Sequence, residues 1–248
     1  MQQRIALITG GTGGIGTEIC KHLDNQGRQV VAGYLPAEQQ AAISWQAARR
    51  AAEGLRIELT VGDVSSFESS ADMVRDVQER IGPIDILVNC AGITRDKTLQ
   101  KMEKEQWQAV LSTNLDSVFN VTRCVLDDMI DRGFGRIVNI SSVNGQKGQF
   151  GQTNYSAAKA GVHGFTMALA QEVAAKGITV NTVSPGYVDT EMTRAMPEEM
   201  REAIVASIPL KRAARPDEVA HAVAFLCADE TNYITGINLP VNGGAYMS

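Results

Sequence analysis

A tyrosine and a lysine stand four residues apart in the segment NYSAAKAGVHGFTMALAQEV, residues 154–173. Its many small and apolar residues predict a helix, in which positions i and i+4 lie on one face, so Tyr155 and Lys159 are expected side by side. A phenol with its usual pKa of about 10 is a poor proton donor at neutral pH, and a neighbouring ammonium lowers that pKa by favouring the phenolate. Such a pair suits the reduction of a ketone, which needs hydride at carbon and a proton at oxygen.

A glycine-rich turn, TGGTGGIG at residues 9–16, follows the first apolar run of the chain. Where such a turn opens a helix, free backbone N–H groups and the positive end of the helix dipole face a pyrophosphate, as in dinucleotide-binding proteins. A tight strand-to-helix turn also needs glycine, so the cluster alone leaves both interpretations open. The turn lacks the GK[ST] ending of a mononucleotide-binding loop, which disfavours an ATPase.

Short apolar runs and longer helical segments alternate along the chain. The predicted strands are 4–9, 29–33, 56–61, 84–88, 136–140, 178–183 and 237–241. Apolar stripes predict helices over 15–27 and 67–81. The stripe of the second helix consists of Phe67, Ala71, Val74 and Ile81. The alternation predicts one doubly wound, Rossmann-type α/β domain over residues 1–248, with a seven-stranded parallel sheet and helices on both faces.

Residues 187–215 interrupt this alternation with a polar, Met-containing insertion, and a helix is predicted to begin after it, near Pro216. Segments of this kind either form a mobile lid over a ligand or fold as a pair of surface helices. Both interpretations remain open, and we expect a substrate lid.

The composition is that of a globular protein without a nucleic-acid partner. The 248 residues are 44% hydrophobic and 21% charged, and the net charge of −5 comes from both signs interspersed along the chain, so no basic face is evident. The apolar run in MQQRIALITGG is far too short for a membrane-spanning helix, and no small-residue cleavage site follows it. We therefore predict a cytoplasmic protein that binds neither nucleic acid nor a membrane.

The cysteines and histidines predict no metal centre. No CxxC spacing occurs among the four cysteines, Cys20, Cys90, Cys124 and Cys227. This scatter favours ordinary buried thiols over a zinc site or a disulfide framework. No partner at ligand spacing accompanies the three histidines, His22, His163 and His221. Roles in metal binding or in a catalytic triad are therefore not expected of them.

The TGxxxGxG spacing of the glycine turn resembles the short-chain dehydrogenase/reductase family. Further motifs follow in the family's order over essentially the whole chain. They are NCAG at 89–92, STNLDSVFN at 112–120, NISSVNG at 139–145, YSAAK at 155–159 and NTVSPGYVDTEM at 181–192. One departure is Cys90, which replaces the second Asn of the family's NNAG motif.

The resemblance implies four catalytic residues, Asn114, Ser142, Tyr155 and Lys159. By the family pattern Tyr155 supplies the proton, and Lys159 lowers its pKa and holds the nicotinamide ribose hydroxyls. Ser142 is implied to bind the substrate carbonyl oxygen. Asn114 is implied to bend its helix and to anchor a water relay that delivers protons to the lysine.

The resemblance also implies a nicotinamide cofactor and no metal. Its implied binding residues are Gly10, Thr12, Gly14, Ile15, Gly16, Tyr34, Glu38, Asp63, Val64, Asn89, Ala91, Gly92, Tyr155, Lys159, Pro185, Gly186 and Val188. NADP carries a 2′-phosphate that favours Lys or Arg near the end of the second strand, whereas NAD is usually held by an acid. No Lys or Arg occurs between Gln29 and Ala48, and Glu38 is the only charged residue there. We therefore predict that either NADH or NADPH is used, with NADH accepted well and preferred unless Glu38 points into water.

Within the family, residues 141–187 are similar, nearly residue for residue, to the acetoacetyl-CoA reductases of polyhydroxybutyrate synthesis, and AGITRD at 91–96 agrees as well. This implies an acyl-CoA substrate, with reduction of acetoacetyl-CoA to (R)-3-hydroxybutyryl-CoA. The implied substrate-binding residues are Asp96, Ser142, Gln149, Gln152, Tyr155 and Tyr187. A homotetramer is also implied, with interfaces at the helix that carries Tyr155 and at residues 237–248.

Two alternatives stay open. Reductases that act on 3-oxoacyl groups of acyl carrier protein share the same tyrosine and lysine. Either an acidic carrier protein or the phosphates of coenzyme A would suit the basic cluster of Arg95, Lys97, Lys101 and Lys104. A nucleotide-binding regulator without turnover is the second alternative, although a pure binder needs no tuned phenol.

Overall fold

A computed structural model of the protein describes residues 3–247, and within them a single parallel sheet organises the chain. Its strands are β1 (Ile5–Thr9), β2 (Gln29–Tyr34), β3 (Glu58–Val61), β4 (Ile86–Asn89), β5 (Gly135–Ile140), β6 (Ile178–Pro185) and β7 (Asn238–Val241). They are hydrogen-bonded in the order β3-β2-β1-β4-β5-β6-β7, and every pairing is parallel. The predicted fold class is confirmed, and each predicted strand is present within two residues of its predicted bounds.

Helices connect the strands and cover both faces of the sheet. They are α1 (Gly14–Asn25), α2 (Gln39–Glu53), α3 (Phe67–Arg80), α4 (Lys104–Leu111), α5 (Ser117–Arg132), α6 (Asn144–Lys147), α7 (Thr153–Val173), α8 (Glu191–Arg194), α9 (Glu198–Ser207) and α10 (Pro216–Leu226). Residues of α1 and α10 pack on one face, and those of α3, α5 and α7 on the other. No helix within residues 3–247 combines the length and the apolar character that crossing a membrane requires.

The core consists of two apolar clusters separated by the sheet. Strand β1 shows how they form, since successive side chains of a strand point to opposite faces. Ala6 and Ile8 belong to the cluster under α1 and α10, whereas Ile5 and Leu7 belong to the cluster under α3, α5 and α7. A strand buried on both faces needs no polar alternation, which is why β1 reads as an unbroken apolar run.

The predicted apolar stripe of α3 is only partly correct. The buried residues of this helix are Ser70, Met73, Val74 and Val77. Phe67 is 42% exposed and stacks on Phe119 of α5, with ring centroids 6.2 Å apart. Because Phe67 is the first residue of α3, it meets the neighbouring helix at the surface rather than the sheet.

The insertion at residues 187–215 folds as two helices, α8 and α9, between the end of β6 and the start of α10. Tyr187 is tied to the first of them, since its hydroxyl donates to the carbonyl oxygen of Thr193 at 3.3 Å. Asp189 and Arg194 make a two-bond ion pair of 2.8 and 3.0 Å on the surface. The helix predicted to begin near Pro216 is confirmed as α10.

Candidate active site

The order of the strands reverses between β1 and β4, and polar groups gather where these two strands end. Thr9 and Asn89, their last residues, are paired in register. The Thr9 hydroxyl accepts hydrogen bonds from the backbone N–H groups of Cys90 and Ala91 at 3.0 and 3.2 Å. In open α/β sheets, ligands bind in the crevice at the carboxyl ends of the strands where the order reverses.

The glycine turn forms one wall of this crevice. Gly10 has a φ of +62°, and a Cβ added at Gly16 would lie 2.2 Å from the Gly10 carbonyl oxygen, so only glycine fits this approach of α1 to the turn. A Cβ at Gly14 would lie 3.0 Å from a methyl carbon of Thr190. The N-cap residue Gly13 provides no side-chain cap for α1, which leaves N–H groups of its first turn for an anionic ligand.

Tyr155 and Lys159 lie side by side on α7, with the lysine Nζ 5.7 Å from the centroid of the phenol ring. Lys159 is only 4% exposed, and its Nζ donates to the Ile140 carbonyl oxygen at 2.8 Å. Within residues 3–247 this is the hydrogen bond that Nζ makes, so two of its three hydrogens remain for a ligand. A buried ammonium with unused donors fits the ribose hydroxyls of a nicotinamide cofactor.

Burial sets the pKa values of both groups. Loss of water lowers the pKa of Lys159 from 10.5 to about 8. Burial also raises the pKa of Tyr155 above 10; the Ser142 hydroxyl opposes this shift, and the charge of Asp96 adds to it. In the protein without ligand, loss of solvation therefore determines the direction of the Tyr155 pKa shift, and a lowering of that pKa by Lys159 stays a prediction. Tyr155 is fully protonated at neutral pH and available as an acid.

Ser142 is the second residue after β5 and is 8% exposed. Its Oγ accepts a hydrogen bond from the backbone N–H of Asn144 at 3.1 Å. A hydroxyl that accepts here keeps its own hydrogen for another partner. Ser142 is therefore suited to donate toward a carbonyl oxygen beside Tyr155.

Asn114 lies in a π-helical turn, Ser112–Asp116, between α4 and α5. Its buried side chain makes two hydrogen bonds of 2.8 Å with the backbone of Ile93, one to the carbonyl oxygen and one from the N–H. A Cβ added at Gly92 would lie 3.3 Å from the Asn114 Oδ1 and 3.6 Å from the Lys159 Nζ. The π-helical turn departs from regular α-helix at Asn114, and the implied bend stays a prediction. Asn114 holds the loop after β4 close to the lysine.

The remaining implied cofactor residues line the same edge of the sheet, with one qualification. The amide of Asn89 donates to Thr122 at 3.1 Å and to Asn139 at 2.8 Å, so its two N–H donors are used inside the protein. Asp63 uses one carboxylate oxygen for Ser65. The other positions lie at or just beyond the ends of β1, β2, β3, β4 and β6, in the turns that follow or at the starts of α1 and α2. They include Thr12, Ile15, Tyr34, Glu38, Val64, Pro185, Gly186 and Val188.

Beyond Ser142 and Tyr155, the implied substrate residues differ in the contacts that they make. Gln152, at the N-cap of α7, is linked by its amide to Asp96 and to Asn144, at 2.8 Å each. Gln149 is exposed, and its side chain makes no hydrogen bond within the described part of the chain. Tyr187 is the first residue of the insertion, and its hydroxyl is bonded to Thr193 of α8. Asn144 was not among the site residues predicted from the sequence, although it stands two residues after Ser142 inside a motif assigned to the site.

The cysteines are less uniform than predicted. Cys20 and Cys227 are buried, whereas Cys90 and Cys124 are only half-buried, and all four are free thiols. Cys90 directly follows the end of β4 at the crevice, where it is only partly covered by the core. Burial nevertheless raises the pKa of Cys90 to about 11, so it is a neutral thiol at neutral pH.

Comparison with known proteins agrees with this geometry. The model of the short chain dehydrogenase family matches residues 4–201. The chain belongs to that family. It is 65% identical over 244 residues to an acetoacetyl-CoA reductase of Allochromatium vinosum, covering 98% of this chain and 99% of the relative. It is 52% identical to an acetoacetyl-CoA reductase of Cupriavidus necator over the full length of both chains. A 3-oxoacyl-[acyl-carrier-protein] reductase of Pseudomonas aeruginosa is 45% identical over 248 residues, which cover all of this chain and 99% of the relative.

As a short-chain dehydrogenase, the protein is an oxidoreductase that uses a nicotinamide cofactor. The glycine turn, the uncapped start of α1 and the unused donors of Lys159 fit such a cofactor. When bound in its reduced form, the cofactor supplies hydride to the substrate carbon. Tyr155 and Ser142 both present hydroxyl groups that can donate to the oxygen of the same carbonyl.

Proposed function

We propose that this protein reduces acetoacetyl-CoA to (R)-3-hydroxybutyryl-CoA. The observation that carries the proposal is the cluster of Ser142, Tyr155 and Lys159 at the carboxyl edge of the sheet, in a chain that is 65% identical to an acetoacetyl-CoA reductase. The proposal includes a cytoplasmic location, because reduced nicotinamide cofactors and CoA thioesters are charged molecules that do not cross membranes unaided.

In the proposed reaction Tyr155 donates its proton to the ketone oxygen as negative charge develops there. Ser142 donates a hydrogen bond to the same oxygen and thereby stabilises that charge. The ammonium of Lys159, 5.7 Å from the centre of the phenol ring, stabilises the phenolate that remains after proton transfer. Asn114 keeps the loop at Gly92 against the lysine, and the water relay implied for it is part of the proposal.

The proposal favours coenzyme A over acyl carrier protein as the carrier of the acyl group. Two relatives with 65% and 52% identity are acetoacetyl-CoA reductases, against 45% for the carrier-protein reductase. The residues of the basic cluster are exposed. The cluster lies beside the site, because the Lys97 N–H donates to the Gly151 carbonyl oxygen at 2.9 Å, next to Gln152. Its charges suit the phosphates of coenzyme A, and they would also suit an acidic protein.

NADH is proposed as a cofactor that is used well, and as the preferred one. Glu38 is exposed at the start of α2, just beyond the end of β2, and no basic residue lies between Arg28 and Arg49. A carboxylate near the adenosine ribose repels a 2′-phosphate and accepts hydrogen bonds from a free ribose diol.

A spectrophotometric panel tests both parts of the proposal. Acetoacetyl-CoA, acetoacetyl carrier protein and a longer 3-oxoacyl-CoA are each assayed with NADH and with NADPH. We expect the highest kcat/KM with acetoacetyl-CoA, and a Glu38→Gln variant is expected to gain about two- to fivefold with NADPH because it removes an exposed charge. Faster reduction of the carrier-protein substrate would replace the proposed substrate, and an NADPH preference above about tenfold would contradict the cofactor assignment.

Residues 187–215 are proposed to act as a substrate lid. They leave β6 directly after Gly186, and a Cβ at Gly14 would touch Thr190, so the insertion lies against the cofactor turn. Tyr187 and the exposed Asp189–Arg194 ion pair connect its first residues to α8. Loops that close over a site exclude water from the reaction.

A homotetramer is proposed, with contacts through α7, which carries Tyr155, and through the C-terminal residues 237–248, of which Ser248 lies outside the described residues. To the first interface we add α5, which packs on the same face of the sheet as α7. Large apolar side chains are exposed in both regions, including Phe119 and Met167 on the first and Ile237 on the second. Light scattering coupled to gel filtration is expected to give about four times the 26.7 kDa mass of the chain. A Phe119→Asp variant is expected to lower that mass, and a wild-type protein that elutes as a monomer would exclude the assembly.

A further inference from the structure

A chain of hydrogen bonds runs from the catalytic serine to the surface. The backbone N–H of Asn144 donates to the Ser142 Oγ at 3.1 Å, and the side-chain Nδ2 of the same asparagine donates to the Gln152 Oε1 at 2.8 Å. The Nε2 of Gln152 then donates to the Asp96 Oδ2 at 2.8 Å. These three groups come from the loop after β4, the start of α6 and the start of α7.

The chemistry of the end groups allows this chain only one direction. A carboxylate accepts hydrogen bonds and cannot donate, so Asp96 requires the N–H end of the Gln152 amide. The oxygen end of that amide must then face Asn144, which meets it with a donor. Without these partners the Gln152 amide could adopt either orientation, because its oxygen and nitrogen ends have nearly the same shape.

The orientation of Gln152 matters because of where it lies. It precedes Tyr155 by three residues at the start of α7, and its partner Asn144 follows Ser142 by two. A 3-oxoacyl thioester offers two carbonyl oxygens, both acceptors, so an amide N–H attracts it and an amide oxygen repels it. Within residues 3–247 the Nε2 of Gln152 makes a single hydrogen bond, to Asp96, which leaves its second hydrogen for a ligand.

We propose that Asn144 and Asp96 are positioning residues that hold the amide of Gln152 with its N–H end toward the substrate. The inference rests on the proposed function, since it concerns recognition of a 3-oxoacyl thioester. The Asp96 carboxylate determines which end of the Gln152 amide faces it, and Asn144 binds the oxygen at the opposite end. Neither needs to touch the substrate.

Moving one carboxylate tests this directly. The double variant Asp96→Asn plus Asn144→Asp places the carboxylate on the opposite side of Gln152. The series of hydrogen bonds is kept, but the donor and acceptor ends of the Gln152 amide exchange places. Wild type and the double variant have the same net charge. Asp96→Asn alone is the baseline that lacks only the carboxylate at 96, and Thr153→Ala is a control at the same exposed helix start. Folding is followed by thermal melting and by NADH binding.

We expect the double variant to melt near wild type and to bind NADH, yet to show a kcat/KM for acetoacetyl-CoA at least about tenfold below Asp96→Asn, mainly through a higher KM. Each variant is compared at its own pH optimum, so that a changed Tyr155 pKa is not mistaken for the effect. A double variant as active as Asp96→Asn would overturn the inference and leave the proposed function intact. Absence of wild-type turnover with acetoacetyl-CoA would overturn both.

Single replacements of Asn144 keep the inference testable if the double variant does not fold. Asn144→Asp places Gln152 between two carboxylates, and its amide oxygen must face one of them, so we expect a lower melting temperature and a raised KM. Asn144→Leu keeps the direction set by Asp96 but removes the second anchor, and we expect KM to rise by about three- to tenfold. A wild-type KM in both variants would overturn the inference.

Discussion

Replacing Tyr155 with phenylalanine is expected to lower kcat for the reduction of acetoacetyl-CoA by about 10²–10⁴-fold, the usual contribution of a positioned acid. The variant keeps the ring and its packing on α7 and loses only the hydroxyl that donates the proton. Cofactor affinity should remain close to wild type, since the unused donors of Lys159 and the glycine turn are unchanged. Stopped-flow or steady-state kinetics and a fluorescence titration with NADH measure the two quantities.

Tyr233→Phe is the matched control, because Tyr233 is 99% exposed and lies outside the site. It should retain wild-type kinetics. Normal turnover by the Tyr155→Phe variant would show that the acid is assigned to the wrong group. A wild-type protein that binds NADH but reduces no member of the substrate panel would instead favour the regulator without turnover.

The fold and the positions of the catalytic residues were predictable because both depend on local sequence patterns. An apolar run without polar alternation indicates a strand buried on both faces, and β1 and β4 are buried along their whole length. The spacing of Tyr155 and Lys159 determines their relative position once a helix forms, whatever surrounds it. The cofactor edge follows from topology, since the carboxyl ends of parallel strands lie at one edge.

Properties that depend on distant contacts could not be predicted in the same way. The pKa of Tyr155 depends on how much water the packed protein removes, and burial raises it where the spacing of the two residues suggests a decrease. Asn144 is connected to Asp96 only because the start of α7 folds back onto the loop after β4, where Lys97 pairs with Gly151. Phe67 shows the same limit, because helical periodicity places it on the buried side while the end of the helix exposes it.

Lys159→Met is expected to reduce activity and to increase stability. Loss of the ammonium removes stabilisation of the phenolate, and we expect a decrease in kcat/KM of at least about 100-fold. In the folded protein burial lowers the pKa of this lysine from 10.5 to about 8, which corresponds to about 3 kcal/mol of unfavourable free energy at neutral pH. Loss of the hydrogen bond to Ile140 offsets about 1 kcal/mol of this. The variant should therefore be more stable by about 2 kcal/mol, or roughly 4–8 °C in Tm.

The pH dependence of the stability difference between Lys159→Met and wild type tests whether the buried ammonium causes it. Between about pH 8, the pKa of folded Lys159, and pH 10.5, its value when solvated, the unfolded chain binds more protons than the folded one, so the stability of wild type rises with pH. The methionine variant has no such group. Its advantage should be largest at and below pH 7 and shrink as the pH rises from about 8 toward 10.5. Lys176→Met, at an exposed site after α7, should change stability by less than about 0.5 kcal/mol at any pH. A constant advantage of Lys159→Met across this range would mean that side-chain packing, and not the buried charge, determines the difference.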